Sequence, residues 1–100
     1  MPTLHVDLRE GFDGDTVVVE ADGRELYRKS GVKTNYSIGL ADRVTAEVAA
    51  GDVRVDVTLP ERGLRSSVAL TVSGPATLAF SLDPGGALTG REVEASPRYL

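Results

Sequence analysis

Val53-Arg54-Val55-Asp56-Val57-Thr58-Leu59 places an aliphatic side chain at every second position, with polar residues between them. Successive residues of a strand point to opposite faces, so this spacing gathers Val53, Val55, Val57 and Leu59 on one side. A helix would scatter the same four around its circumference. The segment is therefore a strand with one buried face.

The same alternation extends in both directions. It gives Leu4, Val6 and Leu8; Val17, Val19 and Ala21; Tyr36, Ile38 and Leu40; and Val44, Ala46 and Val48. Beyond the central run it gives Leu64, Val68, Leu70 and Val72, then Leu78, Phe80 and Leu82. Two weaker runs, 24–29 around Leu26 and Tyr27 and 88–94 around Leu88 and Val93, carry the charges expected of protected edge strands. Between the runs stand turn residues. Asp22-Gly23 is the strongest, since both can reach the positive φ that a two-residue type I′ hairpin needs. Gly51-Asp52, Pro60-Glu61-Arg62-Gly63, Ser73-Gly74-Pro75 and Asp83-Pro84-Gly85-Gly86 do similar work. The segment 41–50 is the one rival for a helix, but β-branched Val44, Thr45 and Val48 and the alternation favour a strand. Eight to nine short strands cannot bury these faces in one twisted sheet, whereas two stacked sheets can. The expectation is an all-β, two-layer antiparallel β-sandwich without substantial helix, a closed barrel being the alternative with the same pattern.

One hundred residues, 41% of them hydrophobic and 26% charged, suit a single domain spanning 1–100 with one core. A net charge of -4 with scattered basic residues offers phosphates no attractive field, so nucleic acid is not an expected partner. No apolar run approaches the ~20 residues of a membrane helix, and Met1-Pro2-Thr3-Leu4-His5 lacks the features of a signal peptide. Membrane insertion is not expected, and a soluble, cytoplasmic protein is. The absence of Cys removes disulfides, thiol nucleophiles and zinc-thiolate sites together, leaving stability to packing.

If nine strands run up and down, successive loops emerge at alternate ends. One end would carry 10–15, 30–33, Gly51-Asp52 and Ser73-Gly74; the other would carry Asp22-Gly23, Asp42, Pro60 to Gly63 and Asp83 to Gly86. Asp13, Asp15 and Asp52 would then meet as candidate calcium ligands, against the plainer account that Asp beside Gly is turn chemistry. Asp22, Asp42, Glu61 and Asp83 would meet at the opposite end. Tyr27, Tyr36 and, at the end of the segment they flank, Lys33 are the candidate binding residues for a sugar or other small ligand, with core or rim packing of the two tyrosines as the simpler account. Catalytic chemistry has little to work with. His5 is the single histidine, at an outward strand position, and Ser66-Ser67 has no base and acid beside it in sequence. Glu92 and Glu94 are an ordinary like-charged pair on one strand face. Gly11, Gly14, Gly85, Gly86 and Gly90 match no phosphate-cradling spacing. Neither catalytic residues nor a cofactor are assigned. The C-terminal segment 95–100, with Tyr99 and Leu100 last, is expected to dock on the sandwich or to serve as a peptide for a partner.

From Val17 to Leu82, the chain resembles prealbumin-like sandwich modules of the carboxypeptidase regulatory-like and PEGA type. The likeness lies in "VVVEADGRELYR", "TNYSIGLA", "AGDVRVDVTLPERGL" and "VALTVSGPATLAFSL" taken in that order. It implies a prealbumin-like or immunoglobulin-like sandwich in an accessory role, with no catalytic residues to carry over. The functional expectation is a non-catalytic interaction module that binds a protein partner or a second copy of itself through a loop end or an edge strand. The alternative is a carbohydrate- or calcium-binding module using the loops near Asp13, Tyr27, Tyr36 and Asp52.

Overall fold

The computed structural model describes residues 2–93, so the C-terminal segment singled out above, 95–100, lies outside the described residues, as does Glu94. Eight strands follow one another: β1 (Thr3–Leu8), β2 (Asp13–Ala21), β3 (Arg24–Lys33), β4 (Asp42–Glu47), β5 (Gly51–Leu59), β6 (Leu64–Val72), β7 (Ala76–Leu82) and β8 (Leu88–Val93). They form two four-stranded sheets, ordered β4-β1-β7-β8 and β3-β2-β5-β6. The only helical element among the described residues is a 3₁₀ turn at Pro60–Arg62, and none is long and apolar enough to cross a membrane.

Alternation becomes burial as expected. Leu4, Val17, Val55, Val57, Leu59 and Leu78 have no exposed surface, and each such aliphatic side chain contributes roughly 1.5–3 kcal/mol on transfer from water. Turn chemistry also follows the sequence: Asp22 and Gly23 have φ of 49° and 82°, and Ala21 pairs with Arg24 across them. The charged runs lie at the borders, β3 in one sheet and β8 in the other.

Two features depart from the expectation. One pair, β1 with β7, is parallel: the chain visits the second sheet twice, returning first as antiparallel β4 on one side of β1 and then, an even number of strands after β1, as parallel β7 on the other. The other departure is larger. Residues 36–40 form no strand; they curl into a loop in which the Asn35 carbonyl accepts N–H groups from Ile38 and Gly39 at 3.2 and 2.9 Å. Asn35 and Leu40 close the loop as an isolated bridge, Gly39 supplies a φ of 66°, and the Asn35 side chain accepts the Ser37 N–H. Polar turn chemistry at Asn35 and Gly39 overrides the alternation between them. Ser30 to Lys33, expected as a loop, instead completes β3.

Losing one strand reverses the parity of every later loop. The β1–β2 corner, the 34–41 loop, the 3₁₀ turn and the β7–β8 turn share one end, here the loop end. Asp22-Gly23, the β4–β5 connection and the β6–β7 connection occupy the other.

Candidate functional site

The loop end is organised around the corner from Arg9 to Phe12. Leaving β1, the chain continues beside β7: Arg9 N–H donates to the Phe80 carbonyl and Leu82 N–H to the Glu10 carbonyl, both at 2.8 Å. Gly11 permits this approach, since its φ is 91° and a Cβ there would collide with the Leu82 backbone. Phe12 then turns into the core, 1% exposed. Buried Thr34 joins the corner to the next loop: its hydroxyl donates to the Arg9 carbonyl at 2.6 Å and accepts the Phe12 N–H at 3.1 Å. Its own N–H donates to the Phe12 carbonyl, and Ala41 N–H donates to the Leu8 carbonyl. The 34–41 loop is thus anchored at both ends.

What the loop displays is apolar. Tyr36 is 68% and Ile38 38% exposed, and among the described residues these are the large hydrophobic side chains left in solvent. At Tyr36 opens a cleft of about 590 Å³, which Tyr36 lines together with Lys33, Gly11, Phe12, Leu82, Asp83 and Pro84. Glu10, Asp13 and Arg62 complete it.

Sequence reasoning missed the buried carboxylates. Asp7, Asp15 and Asp56 are 0%, 6% and 4% exposed, and each is engaged by arginine. Arg43 meets Asp7 through two hydrogen bonds of 2.6 and 3.0 Å. Arg62, from the 3₁₀ turn, meets Asp15 at 2.7 and 3.1 Å. Asp56, on the outer face of its sheet, takes Arg54 and Arg65, both at 3.1 Å, and the Ser67 hydroxyl. Burial opposes ionisation of Asp15, but Arg62 and the Asp13 N–H outweigh it and hold the carboxyl below its ordinary range. Asp56 is likewise held low, its burial outweighed by Ser67, Arg54 and Arg65. A signal was present for Asp56, since Arg54 stands two residues away on the same face, but the long-range partners Arg62 and Arg43 left none in the sequence.

The sequence candidates separate. Lys33 and Tyr36 do share the cleft. Tyr27 lies outside its lining: its hydroxyl donates to Asp42 at 2.8 Å, tying β3 to β4 across the two sheets. Burial, then the Asp42 carboxylate, pushes the Tyr27 phenol well above its ordinary value. Asp13 and Asp15 lie at the loop end, whereas Asp52 sits at the start of β5 near the opposite end, separated by about 30 Å of strand. The proposed calcium trio therefore does not assemble, and among the described residues no three acidic or histidine side chains form a group able to hold a metal. Asp42, Glu61 and Asp83 stay at the loop end while Asp22 goes to the other. His5 lies on β1 with its Nδ1 3.1 Å from the Thr45 hydroxyl on neighbouring β4. No protein-family model, curated protein or solved structure matches this chain.

Proposed function

We propose that the protein is a non-catalytic interaction module that docks a partner protein through its loop end, with Tyr36 and Ile38 as anchors. The observation that carries this reading is the exposure of those two side chains on a loop whose backbone is bonded at Asn35, Thr34 and Ala41. Anchors on a pre-ordered backbone give affinity at little entropic cost, and aromatic residues dominate such contacts. Charge describes the partner. Glu10, Asp13 and Asp83 outnumber Lys33 in the cleft, Arg62 being neutralised by Asp15, so a surface with basic groups around an apolar pocket complements it. The resemblance to regulatory-like modules supports the accessory role. The arginine pairing of Asp7, Asp15 and Asp56 supports the non-catalytic one, because these carboxylates are occupied in holding loops and strands. Affinity capture with wild type and with Tyr36→Ala/Ile38→Ser tests it: a partner retained by the first and lost by the second, at equal thermal stability, is expected. Equal retention by both overturns it.

A second reading is favoured by the cleft itself, whose volume falls within the ~300–1,000 Å³ of small-ligand pockets. With the Tyr36 ring at its rim, it suits a sugar face stacked on the phenol. Glycan-array binding abolished by Tyr36→Ala would replace the protein-docking reading.

A further inference from the structure

Among the described residues four strands border the two sheets, and three of them are blunted against pairing. β4 and β8 are six residues each and carry charges. β3 is longer, but its ladder with β2 is broken by three register shifts, and it bears Arg24, Glu25, Arg28, Lys29 and Lys33. β6 differs from all three. Its nine residues run in unbroken register with β5, from Leu64 opposite Leu59 to Val72 opposite Gly51. It carries one charged side chain, Arg65, whose guanidinium is turned onto Asp56 of its own sheet at 3.1 Å. Long, regular, weakly charged edges offer a row of backbone donors and acceptors to another strand.

We propose that β6 pairs antiparallel with β6 of a second copy about a two-fold axis at Val68, joining two four-stranded sheets into one of eight strands. This does not depend on the loop-end reading. Charge along the strand selects a second copy as the occupant. The start of β6 is basic, since Arg54 and Arg65 share the single carboxylate of Asp56, and its far end is acidic: the Thr71 hydroxyl donates to Asp52 at 2.8 Å, and the groove beside Ala69, Leu70 and Thr71 is lined by Asp22, Asp52 and Glu92 against one cation, Arg54. Antiparallel pairing about Val68 sets Arg65 opposite Thr71, Ser67 opposite Ala69, Val68 opposite Val68 and Leu64 opposite Val72. Each Arg65 therefore reaches the Asp52 carboxylate of the other copy, and no like charges face one another. Parallel in-register pairing would instead stack Arg65 on Arg65. Asp56 keeps Arg54 and Ser67 when Arg65 is shared. Such a contact is self-complementary, as a closed two-fold dimer requires.

Sedimentation velocity across a concentration series tests the proposal on the full chain. A monomer–dimer equilibrium is expected, weakened by salt. Arg65→Glu should raise its dissociation constant by at least about tenfold, because it places acid against acid. Adding Asp52→Lys to that variant should restore the dimer. A monomer throughout, or a dimer indifferent to Arg65→Glu, overturns it. Because the sequence has no cysteine, Val68→Cys gives an independent readout. Facing Cα atoms about 4.5–5.5 Å apart can form a disulfide, so mild oxidation should yield a covalent dimer, and Ser30→Cys on β3 should not. Equal cross-linking at both positions also overturns it. Loss of the loop-end reading through Tyr36→Ala/Ile38→Ser would leave all these results unchanged.

Discussion

Arg62 and Asp15, 47 residues apart in the chain, close on each other through two hydrogen bonds of 2.7 and 3.1 Å. With the Thr16 N–H donating to the Glu61 carboxylate at 2.8 Å, this pair fixes the 3₁₀ turn to the start of β2 and so shapes the wall of the cleft. Asp15 and Asp56 both titrate below the ordinary carboxylate value of 3.8. A carboxyl depressed in the folded state contributes stability that is present above its unfolded value and lost as pH falls through its folded value. Urea unfolding should therefore give a steady midpoint at neutral pH and a falling one below about pH 4. Asp15→Asn should flatten that fall; an unchanged acid limb would show that other carboxylates cause it.

Asp56 shows how a charge survives burial on a sheet face. It lies on the outer side of β5, opposite the valines that fill the core, and is covered by Arg54 and Arg65 while Ser67 donates to it. Asp56→Asn keeps the shape but leaves the two arginines without their counter-charge. Both guanidinium groups remain more than half exposed, so water offsets part of the loss, and a destabilisation of about 1–3 kcal/mol is expected in urea. Ser67→Ala should cost less, about 1 kcal/mol, because two donors remain.

Packing at the opposite border depends on a missing side chain. Gly90 of β8 faces Phe80 of β7, and the ring lies where a Cβ would stand. Phe80 is fully buried, so it has nowhere to retreat. Gly90→Ala should destabilise by about 1–3 kcal/mol through overpacking, although alanine has the better strand propensity. Phe80→Leu in the same chain should recover part of that loss, and additive costs in a double-mutant cycle would show that the ring does not cover Gly90.

The layers were legible because burial imposes period two on every core strand, and Val53 to Leu59 displays it without interruption. The same rule misplaced 36–40, where Tyr36, Ile38 and Leu40 alternate but Asn35 and Gly39 satisfy the backbone locally. That single misreading reversed the ends of all later loops and brought Asp52 to Asp13 on paper. Of the candidate site, Lys33 and Tyr36 were found together because a strand end and the loop after it are near in sequence. The pairs Asp15 with Arg62 and Asp7 with Arg43 were not, because contacts separated by 47 and 36 residues depend on strand order, which alternation does not encode.

Tyr27 was a candidate binding residue, and its surroundings give it a bracing role instead. Its hydroxyl reaches Asp42 at 2.8 Å, and Lys29 approaches the same carboxylate at 3.6 Å, so β3 and β4 are tied where the two sheets would otherwise part. Tyr27→Phe deletes one hydrogen bond to a charged acceptor and should cost about 1–2 kcal/mol while leaving Lys29 in place. The phenol also carries a pH signature. Because its folded value lies above the ordinary 10, the unfolded chain releases this proton first, and stability should fall as pH rises past that point. In Tyr27→Phe that part of the alkaline decline should vanish, and the late-titrating step in the phenolate absorbance with it. A ligand-binding tyrosine open to solvent would give the opposite result, with an ordinary titration and no change in the alkaline limb.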